Sequence, residues 1–184
     1  MPKTIYLLTG NSDKVNAARS IFGSRGVNLE LLDLDIEEIQ ASSSAKVARA
    51  MVTQAHKITG KPVIREDHSF FIKELGFPGP YMAYADKVIS VQQLLAIVNT
   101  LDSRDAYFEL AAAYVDEKGD VHEFSYQVPV VIGTEIRGSD ELRWERLMML
   151  PGETKTFAES NPEERVRLWN KNYEAIAQLI GETS

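Results

Sequence analysis

Strand and helix signals alternate from the first residues onward, and this alternation constrains the fold more than any other feature of the chain. Ile5-Tyr6-Leu7-Leu8 is a short continuous apolar run that stops at Thr9-Gly10-Asn11, which reads as a buried strand. Val15, Ala18, Ile21 and Phe22 then recur at helical spacing up to Gly23. Leu29 to Leu34 predicts a second strand. Val47, Ala50, Met51, Gln54, Ala55 and Ile58 mark a second helix that ends at Gly60, and Pro62-Val63-Ile64 opens a third strand. Strand, helix, strand, helix, strand calls for α/β layering with some parallel pairing.

The middle of the chain changes character. Gly76 to Tyr81 predicts a loop, because its prolines and glycines oppose both helix and ladder. Val91 to Leu101 reads as a helix. Ala106 to Val115 and Val121 to Ile132 are β-rich runs joined by a hairpin turn over Asp116 to Asp120. At the end, Asn161 suits a cap, Pro162 the first helical position, and Glu163 and Glu164 the positive end of a helix dipole. Val166, Trp169, Tyr173, Ile176 and Ile180 then predict one helix face running to Gly181. The expected architecture is α/β: a mixed twisted sheet flanked by helices, in two lobes about a central cleft, with residues 1–184 as one domain.

Composition removes several function classes. The 27 acidic and 20 basic residues leave a net charge of −7, which argues against general affinity for nucleic acid or an anionic membrane. With no cysteine there is no disulfide, no thiolate metal site and no cysteine nucleophile, which fits a cytoplasmic protein. No apolar run approaches the ~20 residues of a membrane span, and Met1 to Gly10 does not read as a signal peptide. A serine hydrolase is excluded for want of a GxSxG elbow. His56, His68 and His122 lack metal-ligand spacing; His56 and His122 read as surface residues.

Three groups of residues suggest chemistry. Thr9-Gly10-Asn11-Ser12-Asp13-Lys14 lies between a strand and a helix. Its backbone N–H groups and a lysine one turn inside could cradle phosphate, although a simple helix cap explains the same residues. Asp33, Asp35, Glu37 and Glu38 follow one strand, and Glu66-Asp67 ends another. Parallel strands would bring both groups to the carboxyl edge of the sheet, where carboxylates suit Mg²⁺ and can orient water. For Asp33, Asp35 and Glu37 a solvated loop is the preferred reading. Finally Arg143, Arg146, Lys155, Arg165, Arg167 and Lys171 make the late part of the chain basic. Lys155 and Arg165 would offset a substrate of roughly four negative charges if they face the cleft.

Taken together, these segments resemble the inosine/xanthosine triphosphate pyrophosphatase family over nearly the whole chain. Thr9 to Lys14 resembles a TGNxxK opening, Asp35 to Gln40 a segment with a metal-binding glutamate, and Val63 to Asp67 a strand ending in an acid pair. Phe77 to Tyr81 resembles a PGxY loop and Lys155 to Glu159 a KTxAE segment. The resemblance implies a nucleotide-binding cleft and Mg²⁺-dependent hydrolysis of a nucleoside triphosphate to monophosphate and pyrophosphate, with Mn²⁺ as a substitute ion. It assigns metal binding to Glu38 and Asp67, with Glu66 as a further candidate ligand, general-base work to Asp67, and phosphate binding to Thr9, Gly10, Asn11 and Lys14. It also implies a homodimer, for which the apolar residues from Tyr81 to Tyr84 are the candidate surface.

The base-reading half departs from the family pattern. His68 follows the acid pair in place of a small Ser or Thr. A lysine of the second helix becomes Met51, with Arg49 and Lys46 nearby. Leu142 to Arg146 stands for FGYDP, retaining an aromatic at Trp144, and Trp169-Asn170-Lys171 stands for SHR. Trp144 is therefore the candidate for stacking on the base, and Asn170 or Lys171 for its edge. Altered base preference is the expected result. Two alternatives stay open: a catalytically weak nucleotide-binding or regulatory protein, and a different hydrolysis on a nucleotide.

Overall fold

In the computed structural model, which describes Lys3 to Glu182, the apolar run Ile5–Leu8 is buried because both of its faces are covered. The strand β1 (Thr4–Leu7) alternates its side chains between two helical layers. Ile5 and Leu7 join Ile64, Ala112 and Tyr114 in packing against Phe22, Tyr173, Ile176 and Ile180. On the opposite face Leu8, Val63, Ala113 and Val115 pack with Val47, Met51, Val52 and Ala55. The first layer is built from α1 (Ser12–Ser24) and α6 (Lys171–Glu182), the second from α2 (Ser44–Thr59).

The remaining elements are β2 (Asn28–Leu31), β3 (Val63–Ile72), β4 (Phe77–Gly79), α3 (Met82–Val88), α4 (Val91–Val98), β5 (Asp105–Val115), β6 (Val121–Ile132), β7 (Met148–Met149) and α5 (Pro162–Trp169). Single 3₁₀ segments cover Asp140–Arg146 and Phe157–Glu159. One mixed sheet has the order β2-β1-β3-β5-β6-β7, with β4 paired to β3. β1 runs parallel to β2, Thr4 opposite Asn28, and parallel to β3, Leu7 opposite Ile64. The α/β class and the mixed sheet flanked by helices are thus as expected.

Packing divides the chain into two compact units. Unit 1 comprises the residues up to Asp67, Leu110–Tyr126 and those from Leu168 onward; unit 2 comprises His68–Glu109 and Gln127–Arg167. Unit 2 has its own aromatic core, in which the centre of the Phe108 ring lies 4.8 Å from that of Phe70 and 6.4 Å from that of Phe157. Among the described residues no helix is long and apolar enough to cross a membrane.

Local signals place most boundaries. Asn11 caps α1, and Gly60 ends α2 in the left-handed conformation (φ 65°), its N–H donating to His56 O at 2.7 Å. Four expectations require correction. The second strand stops at Leu31, short of Leu34. The predicted loop contains β4, whose Pro78 is tolerated because this three-residue strand is a side branch of the sheet. α4 ends at Val98 rather than Leu101, and α3 lies in a stretch with no helical expectation.

The last helix is also broken in two. The Tyr126 hydroxyl donates to Leu168 O at 2.6 Å, taking the carbonyl that a continuous helix would use. Asn170 then starts α6, its carbonyl accepting from Glu174 N at 3.0 Å. The side chains of Pro162, Glu163, Glu164 and Val166 lie outside the described residues. His56 and His122 are half-buried rather than on the surface: His56 Nδ1 lies 2.7 Å from Lys61 O, and His122 Nε2 3.3 Å from Asp116 Oδ2.

Candidate active site in unit 1

The acid pair does not end its strand, since β3 continues to Ile72. Glu66 and Asp67 lie in its first half, just beyond the end of β1, where five charged side chains (Lys14, Glu38, Arg65, Glu66 and Asp67) come into mutual electrostatic range. Lys14, one turn into α1, donates from Nζ to Glu66 O at 2.9 Å. Burial lowers its pKa below the ordinary lysine value, while the charges of Glu66, Asp67 and Glu38 pull it back up and Arg65 adds to the lowering. The lysine therefore anchors to a neutral carbonyl at the centre of a mixed-charge cluster.

The loop before α1 is held by its own side chains. Asn11 Oδ1 accepts from Asp13 N at 2.8 Å and Lys14 N at 3.2 Å, and Asn11 N donates to Thr9 Oγ1 at 3.2 Å. Both readings of Asn11 are thus compatible: it is the helix cap, and it sits where an anion would meet the helix start. A Cβ added to Gly10 would meet nothing within 4 Å, so no packing demands glycine here.

Strand alternation separates the acid pair. Glu66 points with Ile64 toward the α1/α6 layer, and Asp67 with Val63 and Arg65 toward the α2 layer. Glu66 is only 2% exposed. Burial first, and the Glu66 charge second, push the phenols of Tyr126 and Tyr173 well above their ordinary range, so both stay protonated beside this carboxylate. On the other face Arg65 pairs with Glu38 and donates from Nη1 to Leu8 O at 3.1 Å. Thr9, Gly10, Asp33, Glu38, Met51 and Arg65 help line a pocket of about 410 Å³.

Glu38, Glu66 and Asp67 offer carboxylate oxygens alone, a donor set that fits a hard dication such as Mg²⁺. Among the described residues no group of three or more acid or histidine side chains is already gathered closely enough to hold an ion. Arg65 occupies the Glu38 carboxylate instead. Asp33 lines the same pocket, whereas Asp35 and Glu37 are exposed.

The other sequence candidates are distributed differently. Asn170 (8% exposed) and Lys171 lie at the start of α6 in unit 1, the Lys171 ammonium 5.3 Å from the centre of the Tyr126 ring. His68, Trp144, Lys155 and Arg165 belong to unit 2. Trp144 is 1% exposed, with its indole N–H donating to Ile89 O at 2.8 Å, so it serves there as a packing element. It borders a 230 Å³ pocket with Asp86, Phe108, Glu141 and Met148. Arg165 pairs with Glu145, Lys155 is exposed and His68 is half-buried in β3. Arg49 pairs with Glu123 and Lys46 reaches Ser42, so neither enters the pocket lining.

Sequence reasoning assigned no site role to Arg65, Tyr126 or Tyr173, placing Tyr173 only on the apolar face of the last helix. A charged residue between Ile64 and the acid pair was the available signal for Arg65. The tyrosines carried none, since burial beside Glu66 is a tertiary fact.

An α/β sheet that gathers a helix-start loop, a buried lysine and several carboxylates beside the end of β1 has the makings of a phosphate-handling protein. The chain belongs to the Ham1 family, whose model matches residues 5–181. A dITP/XTP pyrophosphatase of Methanopyrus kandleri is 32% identical, covering 89% of this chain and 88% of its own. One from Thermococcus kodakarensis is 34% identical, covering 89% of each chain. An inosine triphosphate pyrophosphatase of Kluyveromyces lactis is 29% identical over 97% of this chain and 95% of its own. In fold, the chain is similar to a Ham1 protein from Coxiella burnetii, with a TM-score of 0.84 at 21% identity, covering 98% of this chain and 99% of that one.

Proposed function

We propose that this protein hydrolyses a nucleoside triphosphate to the monophosphate and pyrophosphate. The observation that carries the reading is the gathering of Lys14, Glu38, Arg65, Glu66 and Asp67 around the end of β1 and the neighbouring part of β3, beside the Thr9–Asn11 loop. The names of the relatives supply the reaction class. Glu38 and Asp67 would hold Mg²⁺, or Mn²⁺ in its place; Glu66, enclosed by tyrosines, supports the charge balance from the opposite face. When bound, the dication offsets polyphosphate charge that Lys14 alone cannot neutralise.

The chain's own residues do the rest. Lys14, the Thr9–Asn11 loop and the N–H groups of the first turn of α1 bind phosphate oxygens. Asp67 accepts a proton from water as the water oxygen bonds to the α-phosphorus; the bond to the bridging oxygen breaks and pyrophosphate leaves. His68, Lys155, Arg165, Asn170, Lys171 and Trp144 enter as substrate-binding candidates on the family resemblance. Altered base preference is part of the reading, supported by the replaced segments Leu142–Arg146 and Trp169–Lys171 and by the burial of Trp144 and Asn170. A homodimer is proposed through Tyr81, Tyr84 and Val88, which are 44%, 69% and 54% exposed. A cytoplasmic location is also proposed, in keeping with the absence of cysteine.

Pyrophosphate release from a panel of standard, deaminated and modified nucleoside triphosphates, with Mg²⁺ and then with EDTA, tests the activity and identifies the base. Light scattering of the wild type and Tyr84→Glu tests the dimer. A second reading, a nucleotide-binding protein with weak catalysis, is favoured by the Arg65–Glu38 pair that occupies a candidate metal ligand. Nucleotide binding without turnover across the panel, with either ion, would select it.

A further inference from the structure

Arg65 connects three segments of unit 1 that are distant in sequence. From β3 it reaches Leu8 O at the end of β1 and the Glu38 carboxylate in the irregular stretch between β2 and α2. Backbone support for that stretch is slight, with Leu32 N bonded to Leu7 O and Ile36 N to Leu34 O. The ion pair with Arg65 therefore sets the position of the Glu38 carboxylate. The arginine side chain is 18% exposed and the glutamate 51%, so the carboxylate can be reached from solvent without unfolding anything. Both residues line the pocket that also contains Thr9 and Gly10.

A guanidinium is a rigid fork of donors that matches carboxylate and phosphate oxygens alike. One arm of this fork is fixed on Leu8 O; the other, on Glu38, faces a pocket bordered by the phosphate-type loop. A dication on Glu38 would repel the guanidinium, and a polyphosphate beside Gly10 would attract it. We infer that Arg65 is a polyphosphate-binding residue held in reserve by Glu38. Dication and arginine compete for one carboxylate, and the polyphosphate receives the arm that is released. The identity of these two ligands rests on the hydrolase reading above; the exchange itself requires no turnover.

Calorimetric titration of the full chain tests it with two probes, MnCl₂ alone and inorganic tripolyphosphate in EDTA. Arg65→Met removes the competitor and is expected to bind Mn²⁺ about two- to fivefold tighter than the wild type, the scale of a partly exposed ion pair. Glu38→Gln releases the fork and is expected to bind tripolyphosphate tighter by about the same factor. The double variant R65M/E38Q is expected to lose that gain, and Arg65→Lys to retain part of the tripolyphosphate binding. Unchanged or weaker Mn²⁺ binding in R65M would overturn the competition. A tripolyphosphate gain that survives in R65M/E38Q would show that removal of negative charge alone is responsible, and would overturn the role of the arginine. Melting curves verify folding, with Arg65→Gln as the second variant if R65M does not fold. Wild-type protein that shows both exchanges but hydrolyses nothing would remove the catalytic reading while supporting this one.

Discussion

Each unit holds cations on both carbonyls and carboxylates, yet the candidate cations Lys14 of unit 1 and Arg165 of unit 2 are held by different kinds of acceptor. In unit 1 Lys14 donates to the carbonyl of Glu66, a neutral acceptor, and one arm of Arg65 donates to the carbonyl of Leu8. In unit 2 Arg143 pairs with Asp86, Arg165 with Glu145, and Arg137 with Glu159. A cation on a carbonyl is oriented while its charge stays available to an incoming anion. A cation on a carboxylate must give up an ion pair before it can serve a phosphate. The difference teaches that net charge is a poor guide to anion binding: the chain carries −7 overall, yet unit 1 holds a lysine whose direct acceptor carries no charge.

The largest test of this contrast is Asp67→Asn. Turnover is expected to fall by at least about 10²-fold, the low end for loss of a general base, while the melting temperature stays near that of the wild type. Full pyrophosphate release by this variant would sink the assignment. Next comes a matched pair. Lys14→Met is expected to lower kcat/KM by about 10- to 100-fold, and Arg165→Met by less, because Arg165 already serves Glu145. Equal losses would break the comparison.

Gly10→Ala gives a finer reading. The new methyl meets open space in the protein, so stability should hold while affinity for tripolyphosphate falls. Unchanged affinity would mean that the open space is not the phosphate side. The smallest expected effect is a control in unit 1, in the turn between β5 and β6. Burial raises the Asp116 carboxyl pKa, but hydrogen bonds from Asp120 N, Lys118 N and His122 outweigh it and hold the pKa below its ordinary value of 3.8. The unfolded chain then binds more protons near that pH. The contribution is present above 3.8 and is lost as the pH falls through the lower folded value. Asp116→Ala should cost about 1 kcal/mol at neutral pH, with the difference shrinking in acid and pyrophosphate release unchanged.

Legibility in the sequence followed the range of the interactions. Asn11, Gly60 and the Asp116–Asp120 turn were readable because caps and turns are decided within a few residues. Lys14 and Glu38 were readable because they follow strands in order, whereas the acid pair was expected at the end of a strand that continues to Ile72. Arg65 stands in the same quoted segment, but its partner Glu38 lies 27 residues away across an irregular stretch, and no local pattern links them. Trp144 offered an aromatic at a suggestive place, and only three-dimensional packing shows it at 1% exposure.

The amino-acid order by itself determined the α/β layering, the buried character of β1, most helix limits and the inventory of charged residues. These follow from hydrophobic periodicity and from caps satisfied within a turn. Tertiary structure alone decided that α5 and α6 separate at Asn170, because a hydroxyl from Tyr126 competes for the Leu168 carbonyl. It alone decided that Glu66 lies among tyrosines and that Arg65 closes on Glu38. Each of those outcomes depends on which distant group arrives to satisfy a carbonyl or a charge, and that is settled only when the sheet and its helices assemble.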